Sequence, residues 1–304
     1  MSQVRKVAIA NAPVSYGAFE LTVGIMAGVP DGERVLTDVA EAGYEGIDLG
    51  PVGFLGEGKG LANALAGHGL TLAGGFVEMP FSEPAQMAAA LRSLGMVLDA
   101  FDAADSGGRM RPKPTLADAG SEERRSRPGQ AVHDHSLGFD TEGWRRFAEG
   151  VERAVALCRD RGYEPTFHHE TGTRVEAPWE IEKVIELTSI GLCLDTGHLL
   201  LGGGDPATAI REWGGRVNHL HLKDARRSVV QDIVREAAPA SEIWRRKAFC
   251  RLGEGDLDVD AVLDQVRDSY SGWIVVEQDV LPEVGGMAAA DQRANREYLA
   301  ARGF

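Results

Sequence analysis

Eight short apolar runs alternate with longer stretches of helical period along the chain, and this alternation constrains the fold more than any other feature. The runs are Val7–Ala10, Gly46–Leu49, Leu72–Val77, Pro114–Ala117, Thr166–His168, Gly191–Leu194, Val217–Leu222 and Trp273–Glu277. Between them, helices are predicted over 35–42, 61–68, 84–104, 142–161, 178–187, 205–213 and 259–269. Strands buried on both faces read as continuous apolar runs, and strands joined by helices pair in parallel. Eight such units in 304 residues predict a single-domain (β/α)8 TIM barrel spanning 1–304. The alternative is an open doubly wound sheet, which calls for a glycine-rich phosphate loop after the first strand. The residues there are Asn11-Ala12-Pro13-Val14-Ser15-Tyr16-Gly17 and do not form that loop, so the barrel is preferred.

Two segments depart from the repeat. Residues 120–130 are charged and turn-rich and are expected to be a loop. Residues 225–251 carry Arg226, Arg227, Arg235, Arg245, Arg246 and Lys247, a basic insertion expected near the barrel mouth after the seventh strand. It stands out because the chain as a whole is acidic, with a net charge of −14. That balance disfavours binding to nucleic acid, which requires a basic face. Three cysteines without CxxC spacing point to a reducing compartment rather than a disulfide framework. The opening residues lack the continuous apolar stretch of a secretory signal, and no run approaches the ~18 apolar residues of a spanning helix. A cytoplasmic protein with no membrane or nucleic-acid partner is expected; self-association stays open.

In a barrel of this type, chemistry gathers where strands end and βα loops begin. The fifth strand runs into His168-His169-Glu170-Thr171-Gly172-Thr173, and the sixth into Asp195-Thr196-Gly197-His198. The seventh contains His219-Leu220-His221-Leu222-Lys223-Asp224, and the eighth ends Glu277-Gln278-Asp279. Strand alternation sets His168 and Glu170 together on the inward face of the fifth strand, and His219, His221 and Lys223 together on that of the seventh. One ligand-type group from each of four consecutive strands can then meet at one point: His168, Asp195, His221 and Glu277. Two imidazoles with two carboxylates suit Mn²⁺, Co²⁺ or Zn²⁺, and Mg²⁺ less well because it prefers all-oxygen sites. His219 is expected below the site and His169 in a structural position, while Asp48 and Glu78 stay open between substrate contact and structure.

The motifs LDTGH (194–198), HLHLKD (219–224), LGEGDLD (252–258) and WIVVEQD (273–279) resemble the xylose-isomerase-like barrel superfamily. Within it, paired histidines followed by GT, together with GGDP (203–206), look most like the inosose dehydratases. The resemblance implies a divalent metal on Asp195, His221 and Glu277, Mn²⁺ or Co²⁺ foremost. The usual strand-five glutamate corresponds by position to His168, so either His168 or Glu170 completes the set. It also implies a small keto-sugar or keto-inositol substrate, an enediolate intermediate, and either dehydration or an isomerase or 3-epimerase reaction. Glu170 is then the first candidate for the base, His198 the second, and Lys223 a candidate to neutralise an oxyanion or protonate a departing hydroxyl. A non-catalytic, partner-dependent barrel is the remaining reading.

Overall fold

The computed structural model describes residues 7–104, 110–282 and 287–304. Strands β1 (Val7–Asn11), β2 (Gly46–Asp48), β3 (Thr71–Met79), β4 (Lys113–Asp118), β5 (Thr166–His168), β6 (Gly191–Asp195) and β7 (Val217–Leu222) lie in the barrel. A two-stranded antiparallel ribbon follows, β8 (Asp224–Ala225) with β9 (Phe249–Cys250), and β10 (Gly272–Val276) completes the barrel. The closed order is β1-β10-β7-β6-β5-β4-β3-β2, every neighbouring pair parallel. The expected (β/α)8 architecture is therefore the observed one.

Local chemistry sets the helix starts. Asp31, Asp140 and Asp205 each accept a backbone N–H from the first turn of the helices Gly32–Ala42, Thr141–Asp160 and Pro206–Trp213. Proline opens Pro178–Leu187 and Pro206–Trp213, where its missing N–H has no partner to lose.

Strand alternation sorts the side chains into two layers. Ile9, Ile47, Phe167, Leu192, Leu194, Leu220, Leu222, Ile274 and Val276 pack outward against the helices in the main core. A smaller cluster of Ala8, Ala10, Ala12, Ala73, Trp273 and Val275 forms on the other face. The same parity puts Asp48, His168, Cys193, Asp195, His219, His221 and Glu277 with this inner set. The barrel thus has an apolar floor and, one layer higher, a ring of ligand-type groups.

The segment 120–130, expected to be a loop, contains a one-turn helix, Glu122–Ser126, capped by Ser121. Its Arg124 is fully buried and bonds Glu180 through both terminal nitrogens, at 2.6 and 3.1 Å. The string of charges reads as a solvated loop because its partner lies 56 residues further along.

The basic insertion folds as the helices Arg227–Glu236 and Ser241–Arg245 between the strands of the β8–β9 ribbon. Its arginines are largely paired: Arg235 with Asp232, Arg245 with Glu242, and Arg246 with Glu236 and Glu242. Ala240 N–H donates to the Arg125 carbonyl, so the two departing segments touch. No helix among the described residues is long and apolar enough to cross a membrane.

Candidate metal centre

The ends of β5, β6, β7 and β10 contribute to one buried polar cluster. His168, Asp195, His221 and Glu277 each offer a ligand atom, and these atoms all lie within 4.8 Å of one another. His168 Nε2 is 3.3 Å from Asp195 Oδ2, and His221 Nδ1 is 3.1 Å from Glu277 Oε2 and 3.8 Å from Asp195 Oδ2. Neither nitrogen of the His221 ring, nor Nδ1 of His168, has an aligned hydrogen-bond partner. Buried imidazole nitrogens are rarely left so, and such rings beside two carboxylates are what a cation requires.

Lys223 lies in the same cluster. Its Nζ is 3.1 Å from Asp195, 2.9 Å from Glu277 and 2.8 Å from Asp279. Three carboxylates thus surround one ammonium. The two imidazoles and two carboxylates that come together fit a divalent ion in donor chemistry.

Burial and neighbours divide the titratable groups. Burial pushes the His168 ring down to about 4, leaving it neutral and able to ligate. Burial works against the Lys223 ammonium, but Asp195, Asp279 and Glu277 outweigh it and hold it far above its ordinary value. Asp195 and Glu277 are held below the carboxylate range: burial opposes this, and Lys223 with the neighbouring imidazoles prevails. Glu170 experiences mainly burial and rises to about 7. Burial likewise lowers His198, but the charges of Asp195, Asp279 and Glu170 outweigh it and leave this ring above its usual value.

The motifs of the second half of the chain acquire physical reasons here. In LDTGH, Asp195 accepts the His198 N–H at 2.8 Å and so caps the helix Thr196–Leu201. Thr196 Oγ1 accepts from Lys223 N and donates to Lys223 O, tying β6 to the end of β7. A Cβ on Gly197 would stand 2.8 Å from the Lys223 side chain, so only glycine leaves room for the ammonium to reach the carboxylates. In HLHLKD, the Asp224 carboxylate accepts from the N–H groups of Ala225, Gly253, Gly255 and Leu257. It thereby holds the LGEGDLD segment against the barrel rim. A Cβ on Gly255 would come within 2.2 Å of that carboxylate.

All seven residues singled out from the sequence are buried or half-buried at the mouth of β5, β6, β7 and β10. His168, His221, Glu277, Glu170, His198 and Lys223 also line one cavity of about 870 Å³. His169 accepts the Asp195 N–H through Nε2 at 3.3 Å and so steadies the strand end. His219 lies beneath His221, its ring centroid 5.2 Å away. It forms a second close set with Cys193 and His221, but burial pushes the Cys193 thiol up to about 11, away from the ligating thiolate. Asp48 is buried 4.0 Å from His221 Nε2, and Glu78 lines the cavity. Sequence reasoning gave no role to Asp279, which bonds Lys223 and stands 3.5 Å from His198 Nε2. Its spacing of two from Glu277 was the available signal.

The family model for the xylose isomerase-like TIM barrel matches residues 36–300. Inosose dehydratase from Clostridium perfringens is 32% identical over 171 residues, covering 54% of this chain and 58% of that enzyme. The chain thus matches little more than half the length of that relative. Inosose dehydratase from Geobacillus kaustophilus is 28% identical over 264 residues, covering 83% of this chain and 81% of the enzyme. Among solved structures, the IolI protein with a bound zinc atom superposes with a TM-score of 0.69 at 12% identity, covering 97% of each chain, which shows the shared fold.

Proposed function

The chain belongs to the xylose isomerase-like TIM barrel family, and from that premise we propose that it is a divalent-metal-dependent lyase that dehydrates a keto-inositol or related keto-sugar. The observation that carries this reading is the set of four ligand atoms within 4.8 Å, beside a buried ammonium and two further titratable groups. The names of the curated relatives support the same reaction class.

His168, Asp195, His221 and Glu277 would hold the ion, with Mn²⁺ or Co²⁺ favoured and Zn²⁺ admitted by the mixed nitrogen and oxygen donors. When bound, the ion supplies Lewis acidity to a substrate carbonyl oxygen and the hydroxyl beside it, which makes the neighbouring carbon acid removable near neutral pH. Glu170 lines the same cavity and takes that proton; its carboxyl, raised to about 7 by burial, is matched to a base working near neutrality. As the C–H bond breaks, its electron pair becomes a C=C bond and the β C–O bond breaks. His198 delivers a proton to the departing hydroxyl, which leaves as water. Lys223 keeps Asp195 and Glu277 ionised, draws Asp279 towards them, and balances charge that develops on the substrate oxygen. A single catalytic domain of cytoplasmic setting completes the reading.

The test is incubation of Mn²⁺-loaded protein with 2-keto-myo-inositol and a ketohexose panel. Growth of an enone-type ultraviolet absorbance supports dehydration. Solvent deuterium entering the substrate with an inverted hydroxyl and no absorbance change would replace it with epimerisation by the same groups. Full metal occupancy with every compound unchanged and unexchanged refutes both.

A further inference from the structure

The cavity above the polar cluster is larger, and of a different character, than an unsubstituted six-carbon ring requires. Its volume of about 870 Å³ lies near the top of the roughly 300–1,000 Å³ range of pockets that enclose drug-sized ligands. A ring anchored by its carbonyl at His168, His221 and Glu277 occupies only the floor. The opposite arc of the barrel, β1 to β3, presents a mainly apolar wall, interrupted by Glu20, Asp48 and Glu78. Leu21 follows β1, Val52 follows β2, and Met96 lies on the helix Pro84–Ala104 after β3; all three line the cavity.

These three are also 72%, 43% and 56% exposed, and exposed apolar side chains grouped around a cavity mark a ligand-binding groove. Phe19 lines the cavity on the same arc, Phe76 meets the His168 ring edge-on at 5.7 Å, and Trp244 lines the cavity from the insertion after β7. A polyol lacking an apolar group would leave this wall in contact with water and gain nothing from it.

We infer that the substrate is a keto-sugar ring bearing an aryl group, with the ring held at the polar cluster and the aryl group against Leu21, Val52, Met96 and Trp244. This inference rests on the keto-sugar reading above and narrows it. The polar cluster selects the carbonyl and hydroxyl pattern, and the apolar wall selects the substituent.

The test is calorimetric titration of Mn²⁺-loaded protein with the methyl and the phenyl β-glycosides of 3-keto-D-glucose, alongside turnover of each. Transfer of a phenyl ring onto an apolar wall predicts Kd at least ~10-fold lower for the phenyl compound. The paired substitution Leu21→Ser and Met96→Ser, at exposed positions that tolerate change, is expected to bring the ratio below ~3-fold. Equal Kd for the two glycosides on the unaltered protein overturns the inference while leaving the keto-sugar reading intact. An unchanged ratio in the double variant overturns the assigned wall. Failure of both glycosides to bind, with 2-keto-myo-inositol or a ketohexose still turned over, overturns the inference alone; failure of all of them removes the keto-sugar reading with it.

Discussion

Two buried charged clusters lie in this barrel, and they differ in what they leave open. Around Arg124, Glu180 accepts both terminal guanidinium nitrogens together with the backbone N–H groups of Glu176 and Ala177. Leu137 O accepts a further bond from Arg124. Glu180 is consumed entirely within the protein, joining the short helix at 122–126 to the start of Pro178–Leu187. At the mouth, Lys223 meets three carboxylates while imidazole nitrogens of His168 and His221 lack partners. The first cluster closes a guanidinium on a carboxylate, with a structural result, and leaves Arg124 Nε and Glu176 Oε1 unpaired. The second brings four ligand-type groups within 4.8 Å of one another beside an open cavity. Burial of charge is common to both; access to a ligand separates them.

Four outcomes would break or sharpen this contrast. The largest is expected from Glu277→Ala: metal content falls from near one per chain to near zero and turnover disappears, read by elemental analysis and the enone assay. Melting temperature should hardly move, because Lys223 keeps Asp195 and Asp279. A variant that retains full metal would break the assignment of the mouth cluster.

Next, Glu170→Gln should retain the metal and lose proton exchange at the carbon beside the carbonyl by ~10²–10⁴-fold, followed by mass spectrometry in deuterated buffer. Exchange at the normal rate would give the base to another group.

Third, Glu180→Ala strands a buried guanidinium, a loss of about 3–5 kcal/mol and roughly 10 °C in melting temperature. Metal content of the folded fraction should stay at the unaltered level. Loss of metal here with preserved stability would invert the comparison.

The smallest effect concerns pH. Burial raises the Glu176 carboxyl to about 7, against the nearby Arg124 charge, from an ordinary 4.5. The folded chain therefore binds more protons than the unfolded one between these values. The stability that Glu176 contributes is full below about 4.5 and is lost as pH rises through 7. Glu176→Gln removes this dependence, so its melting temperature should gain on the parent between pH 5 and 8, by the equivalent of at most about 3 kcal/mol. A constant difference across that range would show that Glu176 is ionised throughout.

Much of the polar mouth was legible before any coordinates. Apolar runs located the strands, and alternation along them placed His168, His221 and Glu277 on the inner face. Strand ends drew attention to Asp195, His198 and Lys223. The Arg124 cluster was not legible, because a string of Glu and Arg at 122–125 looks the same whether solvated or closed over a partner at 180. Asp279 was overlooked because its role depends on where the long Lys223 side chain goes, and that path is opened by Gly197 in the helix after β6. The apolar wall was equally hidden: Leu21, Val52 and Met96 belong to three separate units and form one surface only after the barrel closes.

The sequence by itself determined the number and order of the barrel strands, the inward parity of the ligand-type residues, and the motifs that mark the second half of the chain. These follow from periodicity and local capping, which neighbouring residues decide among themselves. Tertiary structure alone decided which charges are satisfied and which are left seeking a partner, how Asp224 ties two motifs together, and what size and character of cavity lies over the cluster. Each of these is a distance between groups remote in the chain, and such distances exist only once the cylinder has closed.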